Sequence, residues 1–303
     1  MKESPKTKTL VVITGPTAVG KTETSLTIAG ELQAEIISAD ARQFYHELKI
    51  GTAAPTPAEL QRVKHHFAGH LSIFDYYNVS RFEQEALARA EELFRHSDYV
   101  VVTGGSGLYI DALCKGIDDL PDIDPHIRNE VQQLLKKQGM EGLRSHLKSI
   151  DPEYYNEVDK ANPNRMMRGI EIYLATGKKF SQLRKKQTAQ RPFHIKKVIL
   201  NRPRHELFQR INHRTDVMVK DGIVEEAIRF FKYRHLNALN TVGYKELFAW
   251  LENRMELHAA IEKIRIHTRR YAKRQLTWFK RYEDAQWFLP SETHNILRYV
   301  KNQ

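Results

Sequence analysis

The chain has 303 residues, enough for about two domains. Its 41% hydrophobic and 28% charged content excludes collagen-like, mucin-like and wholly disordered chains. Its net charge of +11 is uneven: residues 160–197 hold 11 basic residues against one acid, Glu171, and residues 263–281 hold eight basic residues and no acid, leaving 29 basic and 36 acidic residues elsewhere, a body of net −7.

Two acid-poor basic zones on an acidic body point to a polyanionic partner, where solvated helix faces are the plain alternative. No apolar run approaches the ~20 residues of a membrane span, and MKESPKTKTL carries no secretory apolar stretch. Cys114 is the only cysteine, which excludes a disulfide framework and a cysteine-rich zinc site. A cytoplasmic protein without a membrane partner is expected.

In chain order, residues 9–14 form a β-branched run that stops at Gly15, a helical stretch follows over 21–32, and a second apolar strand over 35–39 ends at Asp40. Ser80 and Glu83 have the spacing of a capping box before a helix with Phe82, Ala86, Ala90 and Leu93 on one face. Residues 99–103 form a third strand, closed by Gly104 and Gly105. Strand and helix signals in alternation predict an α/β fold, a parallel sheet flanked by helices. From Asp118 the composition changes, with helical segments over 125–138, 140–149 and 163–176 and no strand signal before 195–200. Helical patterns resume over 204–219, 223–231 and 256–282. That order predicts an all-helical insertion domain, 118–194, inside one α/β domain made of 1–117 and 195–303.

Gly15-Pro16-Thr17-Ala18-Val19-Gly20-Lys21-Thr22 fits G-x-x-x-x-G-K-[ST] between a strand and a helix, the context a P-loop requires. Such a loop turns backbone N–H groups onto phosphate oxygens, Lys21 adds a charge, and the Thr22 hydroxyl can hold Mg²⁺. There is no Asn-Lys-x-Asp guanine-reading motif, and the third strand ends in Thr103-Gly104-Gly105 with no magnesium-holding aspartate, which disfavours GTPases and motor ATPases. Asp40 ends the second strand, on the edge of a doubly wound sheet where the P-loop also opens. It either faces the phosphates or caps the next turn. His65, His66 and His70 lack a carboxylate at close spacing and read as structural or substrate-loop residues.

The P-loop, Ser38-Ala39-Asp40-Ala41-Arg42-Gln43-Phe44-Tyr45 leading to Ile50-Gly51-Thr52-Ala53, and Gly104-Gly105-Ser106-Gly107-Leu108-Tyr109 together resemble the tRNA dimethylallyltransferase (tRNA isopentenyltransferase) family. Later segments agree: Asp124-Pro125 with Arg128, Asn164-Arg165 with Arg168, Gly169, Glu171 and Thr176-Gly177-Lys178, Arg210-Ile211 with Arg214, and Thr241 with Gly243-Tyr244-Lys245-Glu246. With one cysteine there is no room for the zinc finger of eukaryotic relatives, so the bacterial type is the one resembled. The resemblance implies a P-loop NTPase-like fold. It also implies transfer of a dimethylallyl group from dimethylallyl diphosphate to N6 of adenosine 37, in the anticodon stem-loop of tRNAs reading codons that start with U.

By matched position, the resemblance implies Asp40, Lys21, Ser106 and Arg214 as the catalytic group, with Asp40 the base on the adenine amine. Residues 15–22 become the diphosphate cradle, Mg²⁺ sits on Thr22, and tRNA contacts fall to Asp40, Ala41, Arg42, Gln43, Ser106, Arg128, Arg165, Arg168, Gly243, Tyr244 and Lys245. Ser106 replaces the family's usual threonine, and Ala41 and Arg42 its usual serine and methionine. From 263 to 281 an apolar stripe of Ile264, Thr268, Tyr271, Gln275 and Phe279 is expected to pack while Lys and Arg track an RNA backbone. A monomer is expected. Two other enzymes share the cradle: a P-loop kinase of a nucleoside or small metabolite, and an isopentenyltransferase acting on free AMP. A non-enzymatic RNA-binding protein would have no use for Lys21 and Thr22.

Overall fold

The computed structural model describes residues 8–118, 120–184 and 188–302. They divide into two compact units, one running to Lys115 and resuming at Gln190, the other Gly116–Ala189.

The first unit carries a sheet of β1 (Thr9–Thr14), β2 (Ile36–Ser38), β3 (His65–His66), β4 (Tyr99–Gly104), β5 (His194–Leu200) and β6 (Ala285–Phe288). Their spatial order is β3-β2-β4-β1-β5-β6, every neighbouring pair parallel. β1 is buried along its whole length because both sheet faces are covered. Leu10 and Val12 join Phe82, Ala86 and Ala90 on one face, while Val11 and Ile13 join Leu26, Ile28 and Leu207 on the other. The helices of the first part of this unit are α1 (Lys21–Glu31), α2 (Pro57–Arg62), α3 (Val79–Phe94) and α4 (Gly107–Lys115), of which α1, α3 and α4 pack on the sheet. The second unit contains α5 (Pro125–Ile150), α6 (Pro152–Glu157), α7 (Pro163–Thr176) and α8 (Phe180–Leu183), and the first resumes with α9 (Arg204–Lys220), α10 (Ile223–Phe230), α11 (Tyr244–Leu251), α12 (Leu257–Phe279) and α13 (Thr293–Lys301).

Because the strands are parallel and in register, with Thr14 opposite Gly104 and Ser38 opposite Thr103, their carboxyl ends deliver Gly15, Asp40 and Gly105 to one edge. The approach there is close. A Cβ on Gly104 would lie 2.2 Å from the Ala39 carbonyl oxygen, and one on Gly15 would lie 2.4 Å from that of Leu200.

In the second unit, α5 is two helices joined at Gly139, whose φ of 65° only glycine adopts readily. Its core gathers Val131, Leu143, Leu147, Tyr154, Met166 and Ile170. Buried Asp151 caps α6 through the Tyr154 amide (3.1 Å) and accepts from the Ser181 hydroxyl (2.8 Å) and amide (2.9 Å), tying α6 to α8.

Two local expectations differ from the structure. α3 is capped by Asn78, whose side chain accepts from the Arg81 amide at 2.9 Å, while Glu83 pairs with Arg191 at 2.6 Å instead of closing a capping box. Phe94, not Leu93, completes the buried face of α3. The short strands β3 and β6 and the helices α2, α4, α6, α8, α11 and α13 lie outside the segments that the sequence pattern marks.

Candidate active site

The turn from β1 to α1 uses left-handed backbone twice: Gly20, at φ 114°, adopts it at no steric cost, while Ala18 is held at φ 64° against its preference. Outside the loop, guanidiniums fasten its carbonyls, Arg202 donating to Val19 and Arg210 to Ala18, both at 2.8 Å. Gln275 on α12 is the third fastener, its side-chain oxygen accepting from the Thr17 amide (2.8 Å) and its nitrogen donating to the Gly105 carbonyl (2.9 Å). Gly105 is glycine because a Cβ would lie 2.4 Å from that nitrogen.

Lys21 folds over the loop and donates to the carbonyls of Gly15 and Pro16, both at 3.0 Å. Arg214 reaches the same place from α9 and donates to the Thr17 hydroxyl at 3.1 Å. Burial pushes the Lys21 pKa down to about 8, opposed by the Asp40 carboxylate and helped by the neighbouring Arg214 charge. Burial also lowers Arg214, and Asp40 again opposes it. Two desolvated cations therefore face one carboxylate.

Asp40 is partly exposed, and its Oδ1 accepts from the Arg42 amide at 3.1 Å, an Asx turn that aims the carboxylate. Ser106, just before α4, holds the same turn: its hydroxyl accepts from the Ala41 amide (3.0 Å) and its amide donates to the Ala39 carbonyl (3.3 Å). The Arg42 guanidinium donates to the carbonyls of Asn237 (2.7 Å), Ala238 (3.3 Å) and Asn240 (3.4 Å), and the Gln43 amide to those of Ala53 (2.8 Å) and Thr52 (3.3 Å). Both side chains position loops.

Thr17, Gly20, Lys21, Thr22, Asp40 and Arg214 all line one cavity of about 1140 Å³, with Tyr271 and Gln275 of α12 in its wall. The lining is apolar in part, with Ile50, Ala53, Ala54, Val217 and Met218. Thus the phosphate-type loop, two cations and a carboxylate share a chamber that also offers hydrocarbon surface.

Tyr271 and Gln275, expected in a packing stripe, line the cavity, and a glutamine among apolar positions is the signal of a polar task. Tyr244 is fully buried and donates to Glu226 at 2.6 Å, so its side chain is not on the surface where an RNA contact would be. Gly243 has φ 102° and donates its amide to Glu246 (2.8 Å), whereas Lys245 is exposed. In the second unit Arg165 is exposed on α7, Arg168 is half-buried and donates to the Pro121 carbonyl (3.4 Å), and Arg128 lies 3.8 Å from Glu171. His65 and His66 make β3, with His66 2.6 Å from Glu35, and His70 sits edge-on to Phe44 and Tyr77. Among the described residues no His, Cys, Asp and Glu gather as a metal cluster.

A model of the IPP transferase family matches residues 43–282. The chain is 48% identical to tRNA dimethylallyltransferase 1 of Bacteroides thetaiotaomicron over 295 residues, covering 97% of this chain and 96% of that one. The chain belongs to the tRNA dimethylallyltransferase family. A relative from Christiangramia forsetii with the same family name is 44% identical, with 97% and 98% covered. The structure is similar to the tRNA isopentenylpyrophosphate transferase of Bacillus halodurans, with a TM-score of 0.70 and 31% identity over 97% of this chain and 95% of that chain. It is also similar to a eukaryotic dimethylallyltransferase solved acting on tRNA, with a TM-score of 0.73 and 27% identity over 90% and 70%. The parallel sheet with its P-loop is thus the fold of tRNA dimethylallyltransferases, and among the described residues no helix is long and apolar enough to cross a membrane.

Proposed function

We propose that the protein transfers the dimethylallyl group of dimethylallyl diphosphate to N6 of adenosine 37 in tRNAs that read codons starting with U, releasing diphosphate. The observation that carries this reading is one chamber that combines a phosphate cradle, Asp40 and an apolar wall. A kinase of a small metabolite needs the first two but not the third.

In the transfer, the allylic C–O bond breaks with its electron pair leaving on the diphosphate, and the N6–C bond forms. The amine proton goes to Asp40, because adenine's exocyclic nitrogen is a weak nucleophile until that proton is removed. The loop amides of residues 15–22, Lys21 and Arg214 meet the negative charge that grows on the leaving oxygen. Ser106 acts through the turn it holds and keeps Asp40 aimed. Thr22 is exposed and, among the described residues, no cluster of metal-ligating side chains is present, so the Thr22 hydroxyl would be the protein group to hold Mg²⁺, which would add positive charge against the leaving group.

The tRNA would be held through its anticodon stem-loop by Arg128, Arg165 and Arg168 of the second unit and by the exposed basic face of α12. Splaying one loop base into the chamber costs a few kcal/mol and needs a pocket of this size. Asp40, Ala41, Arg42, Gln43, Ser106 and Gly243 would surround that base with backbone and side-chain groups, Lys245 would meet the backbone, and Tyr244 would serve from the core. A monomer in the cytoplasm suffices for this chemistry.

Asp40→Asn tests the mechanism, since it keeps size and removes basicity. Under single-turnover conditions transfer is expected to fall by ~10² to 10⁴, with both substrates bound near their normal affinity. A variant that melts earlier yet transfers at close to the parent rate makes Asp40 only a turn residue.

A further inference from the structure

Glu226 of α10 is buried, and the partners of its carboxylate are backbone amides and a hydroxyl. Its Oε2 accepts from the amides of Lys49 and Ile50, both at 3.0 Å, and its Oε1 from the amide of Gly51 (2.8 Å) and the hydroxyl of Tyr244 (2.6 Å). Four donors thus converge on one carboxylate. Three of them are consecutive backbone groups of a loop that has no strand or helix partner to satisfy them. The fit is tight from the loop side too, because a Cβ on Gly51 would lie 2.6 Å from the Tyr244 ring.

The far end of the loop is pinned independently. Gln43 donates to the carbonyls of Thr52 and Ala53, the Thr52 hydroxyl donates to Leu48, and Ala53 is held at φ 47°. Within and just after the pinned stretch, Ile50, Ala53 and Ala54 line the same cavity as the P-loop residues. Ile50 packs against the cluster of Leu48, Tyr244 and Leu247, but Ala53 and Ala54 have little side chain of their own to pack, so the place of this part of the loop in the chamber depends on these hydrogen bonds.

We propose that Glu226 is a positioning residue for prenyl-donor recognition: its carboxylate, with Tyr244, holds residues 49–54 as the apolar wall that receives the five-carbon group. This rests on the functional reading above. It separates the two halves of the donor, since the diphosphate belongs to the P-loop and the hydrocarbon to the clamped wall.

Glu226→Gln puts an amide nitrogen against donors and loses at least one of the four bonds; Tyr244→Phe loses one while keeping the three amides. Binding of dimethylallyl diphosphate and of inorganic diphosphate is measured by calorimetry on the full chain, and transfer to tRNA by label. In Glu226→Gln the Kd and KM for dimethylallyl diphosphate are expected to rise about tenfold, the equivalent of unburying roughly two of the five carbons. The Kd for inorganic diphosphate should move less than about twofold and kcat at saturating donor less than about threefold. Tyr244→Phe should show the same split at about two- to fourfold, and it carries the test if Glu226→Gln fails to fold. Equal changes for both ligands, or a lower melting temperature with neither changed, overturn the clamp. A parent that binds the two ligands differently but gives no labelled tRNA overturns the functional reading and leaves the clamp standing on the binding split; a parent that does not bind dimethylallyl diphosphate overturns both.

Discussion

Lys21 and Arg214 are brought together with Asp40 as the carboxylate that acts on both, and two neighbouring desolvated cations fit a chamber that takes a diphosphate. Removing Lys21 should therefore act on the donor and not on the RNA. Lys21→Ala is expected to raise the KM for dimethylallyl diphosphate roughly 10- to 100-fold, the range of one charged hydrogen bond, and to leave tRNA affinity unchanged in a filter-binding assay. Weaker tRNA binding with an unchanged donor KM would reverse the assignment. Because burial holds the Lys21 pKa at about 8 against the ordinary 10.5, the ammonium is charged below pH 8 and lost above it. kcat/KM for the donor should accordingly fall as pH rises through about 8, a limb that Lys21→Ala abolishes. The sign for stability is opposite. The cost of burying this charge is fully present below pH 8 and is relieved between 8 and 10.5, so Lys21→Ala should gain thermal stability at pH 7 and less at pH 10.

At this scale the sequence was legible where a motif fixes backbone geometry. Gly15, Gly20, Lys21 and Asp40 stand where the strand-turn-helix reading put them, since turn glycines and strand ends are local properties. Glu226 and Gln275 were not legible as loop-holding residues, because each acts on a loop about 175 and 258 residues away in sequence. Tyr244 sits in a segment that resembles RNA-contacting relatives, yet nothing local says whether a tyrosine between Gly243 and Lys245 points in or out.

Among elements, α12 shows how one helix divides its labour. Ala260, Ile264, Ala272, Gln275 and Phe279 are buried, while Lys263, Arg270, Lys273, Arg274 and Lys280 are exposed on the outer face. Arg265 is drawn off to Asp216 and Glu262, and Arg269 to Asn212, which leaves the outer set for a polyanion. Arg274→Ala and, in α7, Arg165→Ala should each weaken tRNA binding and lower the slope of log affinity against log salt by about 1. If neither changes affinity or slope, these faces serve solubility alone. The 3.6-residue rhythm made α12 and α7 readable. β3 and β6, with two and four residues, are too short to show alternation, and their place in the sheet is set by pairing with β2 and β5. α13 is short, with Ile296 and Val300 buried against the α1 side of the sheet and Leu297 and Tyr299 packed beside them.

For the molecule as a whole, the parallel sheet brings the ends of three strands to one edge, and α9 and α12 close the chamber over them. Gly104 marks how little slack that arrangement has. Gly104→Ala should lower stability by about 1–3 kcal/mol through overpacking against Ala39 and slow transfer, since it displaces the strand end that carries Asp40; a fully stable, fully active variant would show that the strand ends can separate freely. The choice among enzymes that share a P-loop rests on the acceptor. The decisive measurement incubates the protein and Mg²⁺ in parallel with radiolabelled dimethylallyl diphosphate plus unmodified tRNA, the same donor plus AMP, and labelled ATP plus a nucleoside. Label is expected in tRNA alone, at adenosine 37 after digestion. Label in AMP, or phosphate on the nucleoside with none in tRNA, would contradict the proposed reaction.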